Sequence, residues 1–461
     1  MSSASSVSRL PALGWVGIVR LGLVQAMLGA VVVLTTSTLN RVMVVELALP
    51  ALLPGLLVAL HYAVQLSRPR MGFGSDSGAR RTPWIMGGML VLALGGAGAA
   101  LATAWMSTRP LAGMALAVLA FALVGLGVSA SGTALLTLLA KRVDAPRRAS
   151  AAALVWVMMI VGFAVTAGLA GGWLDPYTPL RLVQVSSAVS VLAVLVTTLA
   201  LWRLEGPAAV AFQRSEPVTT STPFRRALAE VWAEPEARRF TIFVFVSMVA
   251  YSAQDLILEP FAGLIFGFTP GESTQLSGVQ HGGTLAGMLL AALAGRRVGA
   301  TNLGSLRVWT VMGCIASGLA LVGLVVAGLG AAPQWPLRAN VFVLGVANGA
   351  FSIAAIGSMM ALAGGGSTGR SGREGTRMGL WGAAQAIGFA GGGLVGTAAS
   401  DLARWLLGAP GPAYALVFAA EALLFVVAAR LALSIHAPAA VRQTKPWPPA
   451  PLSRQTHQEL R

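Results

Sequence analysis

The chain has 461 residues, 56% of them hydrophobic and only 10% charged, where a soluble globular domain carries about 25% charged residues. Its formal charge is +16, but the basic residues are spread thinly over many short polar stretches, which excludes a nucleic-acid-binding surface and fits the loops of a membrane protein. Hydrophobic runs of about 20 residues recur from end to end, the length a helix needs to cross the hydrocarbon core, whereas a membrane barrel would show alternating segments of about ten.

The fold class read from this pattern is an all-α polytopic membrane protein. The amino terminus, MSSASSVSRLPALGW, has no short apolar core before a small-residue cleavage site, and reads as a mature cytoplasmic tail. Apolar spans then follow at 22–39, 50–66, 84–104, 112–140, 149–172 and 180–202. Six more lie at 240–263, 276–294, 306–329, 338–362, 377–400 and 411–433, making twelve predicted transmembrane helices. Pro50, Pro54, Pro83, Pro110, Pro146, Pro176, Pro179, Pro336 and Pro412 punctuate the boundaries. With alternate loops placed on opposite sides, 27 of the 32 Lys and Arg fall on one side, leaving Arg41, Arg109, Arg181, Arg338 and Arg404 on the other. One miscounted helix would scramble that division, so twelve helices with both ends cytoplasmic is the expected topology.

The longest polar interruption is 203–239, with Pro207, Pro217, Pro223 and Pro235. It divides the chain into an amino-terminal six-helix half (1–202), a central cytoplasmic loop (203–239), a carboxy-terminal six-helix half (240–436) and a cytoplasmic tail (437–461), the two-half plan of the major facilitator fold. Weak internal symmetry accompanies the division: Asn40-Arg41 followed by Glu46 answers Asp255 followed by Glu259-Pro260, His61 answers His281, and Arg80–Arg81 answers Arg296–Arg297. Gly388, Gly392 and Gly396, and Gly168 with Gly172, are spaced for close helix packing.

The stretch from His61 to Trp84 joins the second and third spans. Within it Gly72, Asp76, Arg80 and Arg81 resemble the G-x-x-x-D-R-x-G-R-R loop of major facilitator transporters, with Ser77 in place of the first arginine and Gly78 one place early. The resemblance implies a charge latch between cytoplasmic helix ends.

Residues able to carry chemistry are few. His61 and Gln65 lie four apart on one helix face, and His281 follows Gln280 in the eighth span. A neutral imidazole there can bond between helices, relay a proton or ligate a metal. Asp255 and Glu259 are likewise four apart; Glu46 lies near the end of the first span and Glu421 inside the last. Carboxyls inside a membrane are costly and point to function, proton coupling among the roles, unless they reach the headgroup layer. Cys314 is the single cysteine and lies in an apolar run, so neither a disulfide framework nor a cysteine metal site is expected. Phosphate-loop, nucleophile-elbow and H-E-x-x-H patterns are missing, and GGGSTG at 364–369 lacks a strand–helix context, so the chain reads as a non-enzyme.

The stretches QLSRPRMGFGSDS…RRTPWIMGG (65–88), RRASAAALVWVMMIVG (147–162) and RMGLWGAAQAIGFAGGG (377–393) resemble the PucC/LhaA family of photosynthetic purple bacteria, over about residues 15–436. The family was once named for bacteriochlorophyll synthase subunits, and its members are major facilitator-like. The resemblance implies a chaperone of light-harvesting antenna assembly in the bacterial cytoplasmic membrane, with antenna polypeptides and bacteriochlorophyll as partners and the pigment as cargo. A chlorin magnesium accepts one axial ligand, and His61 and His281 are the candidates within the bundle. The alternative expectation is a proton-coupled secondary transporter of a small amphipathic molecule, using Asp255, Glu259 and Glu421.

Overall fold

The computed structural model describes residues 13–68, 80–144, 147–205, 232–297, 305–364 and 374–434. Twelve helices account for them: α1 Trp15–Glu46, α2 Leu52–Ser67, α3 Thr82–Met106, α4 Pro110–Arg142, α5 Arg148–Leu174 and α6 Pro179–Leu201 in the first half. The second half holds α7 Pro235–Phe266, α8 Pro270–Arg297, α9 Leu306–Ala331, α10 Leu337–Gly364, α11 Glu374–Leu407 and α12 Pro410–Leu433. There is no strand among the described residues.

The boundaries follow local chemistry. Pro110, Pro179, Pro235, Pro270 and Pro410 stand at first helical positions, where the missing N–H costs nothing. Thr178 Oγ1 accepts the Arg181 amide at 3.0 Å and caps α6. Gly267 and Gly408 end α7 and α11 at φ +69° and +66°, left-handed positions that a Cβ would strain.

Each half has its own apolar core. One runs from Leu13 to Leu204 and takes in Leu256 of α7; the other runs from Phe240 to Ala432. Within the first half α3 packs along α4, and α1 packs on α5 and α6. Within the second, α7 packs on α11, α8 on α10, and α9 on α10 and α12. The halves meet where α5 runs along α8 and α2 along α11. Nine helices among the described residues are long and apolar enough to cross a membrane. The other three, α2, α8 and α11, are packed against the opposite half, so part of their surface meets protein instead of lipid. Outward faces carry leucines such as Leu94, Leu111, Leu319 and Leu423, each at least two-thirds exposed.

The glycine stripe of α11 packs as its spacing predicts: a Cβ on Gly388 would meet the Met248 Cβ at 2.8 Å, and one on Gly396 the Ala253 Cβ at 2.8 Å. Where α5 faces α8, a Cβ on Gly171 would fall 2.6 Å from the Gly271 carbonyl, whereas one on Gly168 meets nothing within 4 Å and one on Gly172 only Gln275 Nε2 at 3.7 Å. Toward α1, a Cβ on Gly162 would run into the Ala26 carbonyl.

The first helix departs from the sequence expectation. The apolar span of 22–39 places Arg20 in a tail and Arg41 in a loop, yet α1 runs from Trp15 to Glu46 and Arg41 is 2% exposed within it. A charge can remain in a helix at this depth because Arg41 Nη1 is paired with Glu46 and Nη2 donates to the Phe268 carbonyl at 2.6 Å. Arg20 donates to the carbonyls of Ala200, at 2.8 Å, and Trp202 at the end of α6.

At the start of α2, the orphan amides of Ala51 and Leu52 donate to the two carboxylate oxygens of Asp401 on α11, at 3.0 and 2.7 Å. Asp401→Ala is therefore expected to lower the melting temperature of the purified protein, through loss of about 1 kcal/mol of capping energy. Leu402→Ala, at an outward residue 56% exposed, should leave the melt unchanged.

Candidate functional site

The polar groups of the two halves converge on the second part of α1. Two π-helical turns, Leu34–Thr38 and Val42–Glu46, widen it there, and Thr35 and Thr36 bond back to the carbonyls of Val31 and Val32 at 2.7 and 3.0 Å. Ser37, Thr38, Asn40 and Arg41 then share one face and all reach the second half. Ser37 Oγ donates to Glu259 of α7, and Thr38 pairs with Thr274 of α8 at 3.0 Å. Asn40 Nδ2 donates to the Leu256 carbonyl at 2.5 Å. Beside this seam Thr269 Oγ1 donates to Asp175 at 3.0 Å, joining the ends of α5 and α8. In the loop between α5 and α6, burial pushes the Tyr177 phenol up to about 12, with the Glu46 carboxylate adding and Arg41 opposing.

Asp255 and Glu259 share a face of α7, as their spacing requires, but not a partner. The Asp255 carboxylate accepts from Gln280 Nε2 of α8 at 3.2 Å, while Glu259 is 2% exposed and takes the Ser37 hydroxyl. Neither sits at the helix end that the shorter sequence span gave them, since α7 continues to Phe266 with Pro260 inside it. Interhelical bonds of this kind contribute about 0.6 kcal/mol each on average, so the seam as a group, more than any member, holds the halves together. Glu421 of α12 is 2% exposed, and neither of its carboxyl oxygens has a hydrogen-bond partner among the described residues. Gln254 is fully buried in the same condition. Glu46 is held by Arg41.

Next to Asp255 the two halves bring aromatic rings together. Tyr62 of α2 stacks on Phe389 of α11 with centroids 5.5 Å apart, and Tyr251 of α7 meets the same ring at 5.8 Å. Tyr62, Tyr251, Phe389 and Asp255 are all half-buried, so this polar–aromatic patch has open space beside it. No sequence spacing signals the cluster, because its members come from three helices.

The two histidines differ. His281 Nδ1 lies 2.8 Å from the Ser277 carbonyl, which can only accept, so Nδ1 carries the proton and Nε2 keeps its lone pair. Its ring stands edge-on to Phe163 of α5 at 4.9 Å, on the interface between the halves. His61 is 1% exposed, and its Nε2 lies 2.8 Å from Gln65 Nε2. Arg68 donates to Gln65 Oε1, which turns the amide NH2 toward the imidazole and engages the His61 lone pair.

Of the loop residues singled out in the sequence, Gly72 and Asp76 lie outside the described residues. Arg80 is exposed and Arg81 buried at the start of α3. There the carboxylate of Glu205, just after α6, accepts the amides of Arg81 and Thr82 at 2.9 and 2.8 Å and the Thr82 hydroxyl at 2.7 Å. Sequence reasoning missed this acid because it lies 124 residues away.

The profile of the family described as PUCC protein matches residues 38–440 of the chain. The chain is 54% identical over 427 residues to the bacteriochlorophyll synthase 44.5 kDa chain of Rhodobacter capsulatus, covering 92% of this chain and 96% of that one. It is 31% identical over 439 residues to protein PucC of Cereibacter sphaeroides, covering 88% of each. Among solved structures it resembles a peptide transporter, POT, with a TM-score of 0.68 and 13% identity over 92% of this chain and 97% of that one. The nucleoside transporter NupG superposes with a TM-score of 0.63 at 15% identity, over 91% and 99%. The likeness to both transporters is one of fold.

Open space beside Asp255 is checked by thiol labelling. Cys314 is fully buried and the only thiol, so Cys314→Ala provides a silent background. On it, Asp255→Cys should react readily with a small methanethiosulfonate reagent and Gln254→Cys, one residue away, should not.

Proposed function

The chain belongs to the PUCC protein family, and from that premise we propose that it is an assembly factor for bacterial light-harvesting antenna complexes, which holds bacteriochlorophyll between its halves and brings it to antenna polypeptides. The observation that carries the reading is the 54% identity, over nearly the full length of both chains, to a protein named for bacteriochlorophyll. On this reading the protein spans the bacterial cytoplasmic or intracytoplasmic photosynthetic membrane, with both termini on the cytoplasmic side that collects the lysines and arginines. It carries pigment as cargo and does not transform it.

Bacteriochlorophyll brings a large apolar plate and a magnesium with one open axial position. A protein that holds it needs apolar and aromatic surface and a neutral imidazole with an available lone pair. His281 has the required tautomer, since its Nδ1–H is committed to Ser277 and Nε2 is left as the basic nitrogen. Its ring is buried against Phe163 at the contact between the halves, so a plate would reach it when they part. His61 does not fit, because Gln65 already engages its Nε2, and its role is to tie α2 locally through Gln65 and Arg68. The two histidines, equivalent in the sequence, thus take different parts.

A second reading is supported by one observation, the likeness to peptide and nucleoside transporters. Under it Asp255 and Glu259, which accept hydrogen bonds across the α7–α8 and α7–α1 contacts, would couple proton movement to substrate movement. The deciding experiment is the absorption spectrum of the detergent-purified protein from a pigment-producing host and from a strain lacking antenna polypeptides. A near-infrared bacteriochlorophyll band is expected from both; its absence from both, with pH-gradient-driven flux in vesicles, would favour transport. His281→Leu should lower co-purifying pigment by about tenfold or more, while His61→Leu should leave the pigment and its band position in place.

A further inference from the structure

Gly88 and Gly127 draw the backbones of α3 and α4 together. A Cβ on Gly88 would lie 2.5 Å from the Ser131 amide nitrogen, and one on Gly127 2.5 Å from that of Leu92. On the outward side the same helices leave room: Gly87 is exposed, and a Cβ built on it meets nothing within 4 Å. The result is a cleft of about 470 Å³ lined by residues that include Trp84, Gly87, Gly88, Leu123, Leu126 and Ala130. None of the central-seam residues lines it.

The surroundings of the cleft say what occupies it. Arg80 is exposed just before α3 and makes no ion pair among the described residues. Arg203 is exposed after α6, two residues before Glu205, which reaches across to the start of α3. The Glu205 carboxylate of this corner is bonded to the α3 amides and keeps its single charge, against which stand the exposed Arg80 and Arg203, while Trp202 is 63% exposed beside it. From the cleft's mouth inward the order is arginine, Trp84, glycine, then Val91, over about 16 Å of helix at 1.5 Å per residue. That is the order of a phospholipid: anionic phosphate, interface, hydrocarbon. A pigment macrocycle is disfavoured because the cleft's proline, tryptophan, glycine, valine, leucine and alanine side chains offer magnesium no ligand.

We propose that the α3–α4 cleft is a binding site for an anionic phospholipid, one acyl chain lying over Gly87 and the phosphate held at Arg80 and Arg203. The site lies at the basic end of the bundle, and its existence does not depend on the pigment reading.

The test uses the full chain in nanodiscs of mixed phosphatidylglycerol and phosphatidylcholine, released for native mass spectrometry. The parent should retain phosphatidylglycerol in preference to phosphatidylcholine. Gly87→Leu fills the cleft without meeting a neighbour at its Cβ, so it should fold with an unchanged melt and lose the retained lipid. Arg80→Gln and Arg203→Gln should each lower the preference for phosphatidylglycerol by about fivefold, the effect of one basic residue near an anionic surface. Retention by Gly87→Leu equal to the parent, a parent without preference (annular lipid only), or displacement of a co-purifying polypeptide in place of lipid would each overturn the proposal.

Discussion

In a bilayer a helix must find partners for its polar groups inside the protein, and the first helix finds most of them in the other half. Ser37, Thr38, Asn40 and Arg41 bond to Glu259, Thr274, Leu256 and Phe268 of α7, of α8 and of the turn between them. Glu46 supplies one bond to Arg41 from α1 itself, which leaves the guanidinium dependent on the second half for the rest. An amino-terminal half alone would therefore leave the Arg41 guanidinium with Glu46 as its acceptor and the Asn40 amide without the Leu256 carbonyl it uses in the whole protein. The two cores fold around separate sets of leucines and phenylalanines, but the seam makes each half the solvent of the other.

This dependence also explains what the sequence showed and what it hid. Helix number is legible because long apolar runs and basic loops are properties of composition. The end of α1 is not, because a hydropathy window sees Arg41 as a loop residue and cannot see the carbonyl of Phe268 that keeps it in the helix. Three helices fall short by length or apolarity, and each packs against the opposite half, as the span-length α1, α5 and α7 also do. The pairing of His61 with His281 was visible, but not the difference between them. Residue type gives an imidazole; only the Ser277 carbonyl and the Gln65 amide decide which nitrogen has its lone pair engaged. The Tyr62–Phe389–Tyr251 cluster and the Glu205 cap are products of tertiary contact, with no local spacing to announce them.

The transporter likeness, at 13% and 15% identity, carries the frame and leaves the task open, as fold-level likeness does. What differs between tasks is the chemistry placed at the seam. A carrier of a polar solute needs charged groups that recognise it and release it; the groups gathered here are the Arg41–Glu46 pair, two carboxyls bonded to neutral donors, an imidazole whose Nδ1 is committed to Ser277 and a half-buried ring cluster.

A cargo seated between the halves would have one wall on α5 or α2 and the other on α8 or α11. Its binding energy then acts directly on the equilibrium between closed and parted halves, since a ligand shifts a conformational balance only through contacts that differ between the states. Glycine contacts such as Gly171 against Gly271 let α5 and α8 cross with backbones nearly touching. In a transporter that coupling alternates access across the membrane. On the assembly-factor reading proposed above, a pigment handed to a polypeptide within the bilayer would use the same coupling for a lateral exchange.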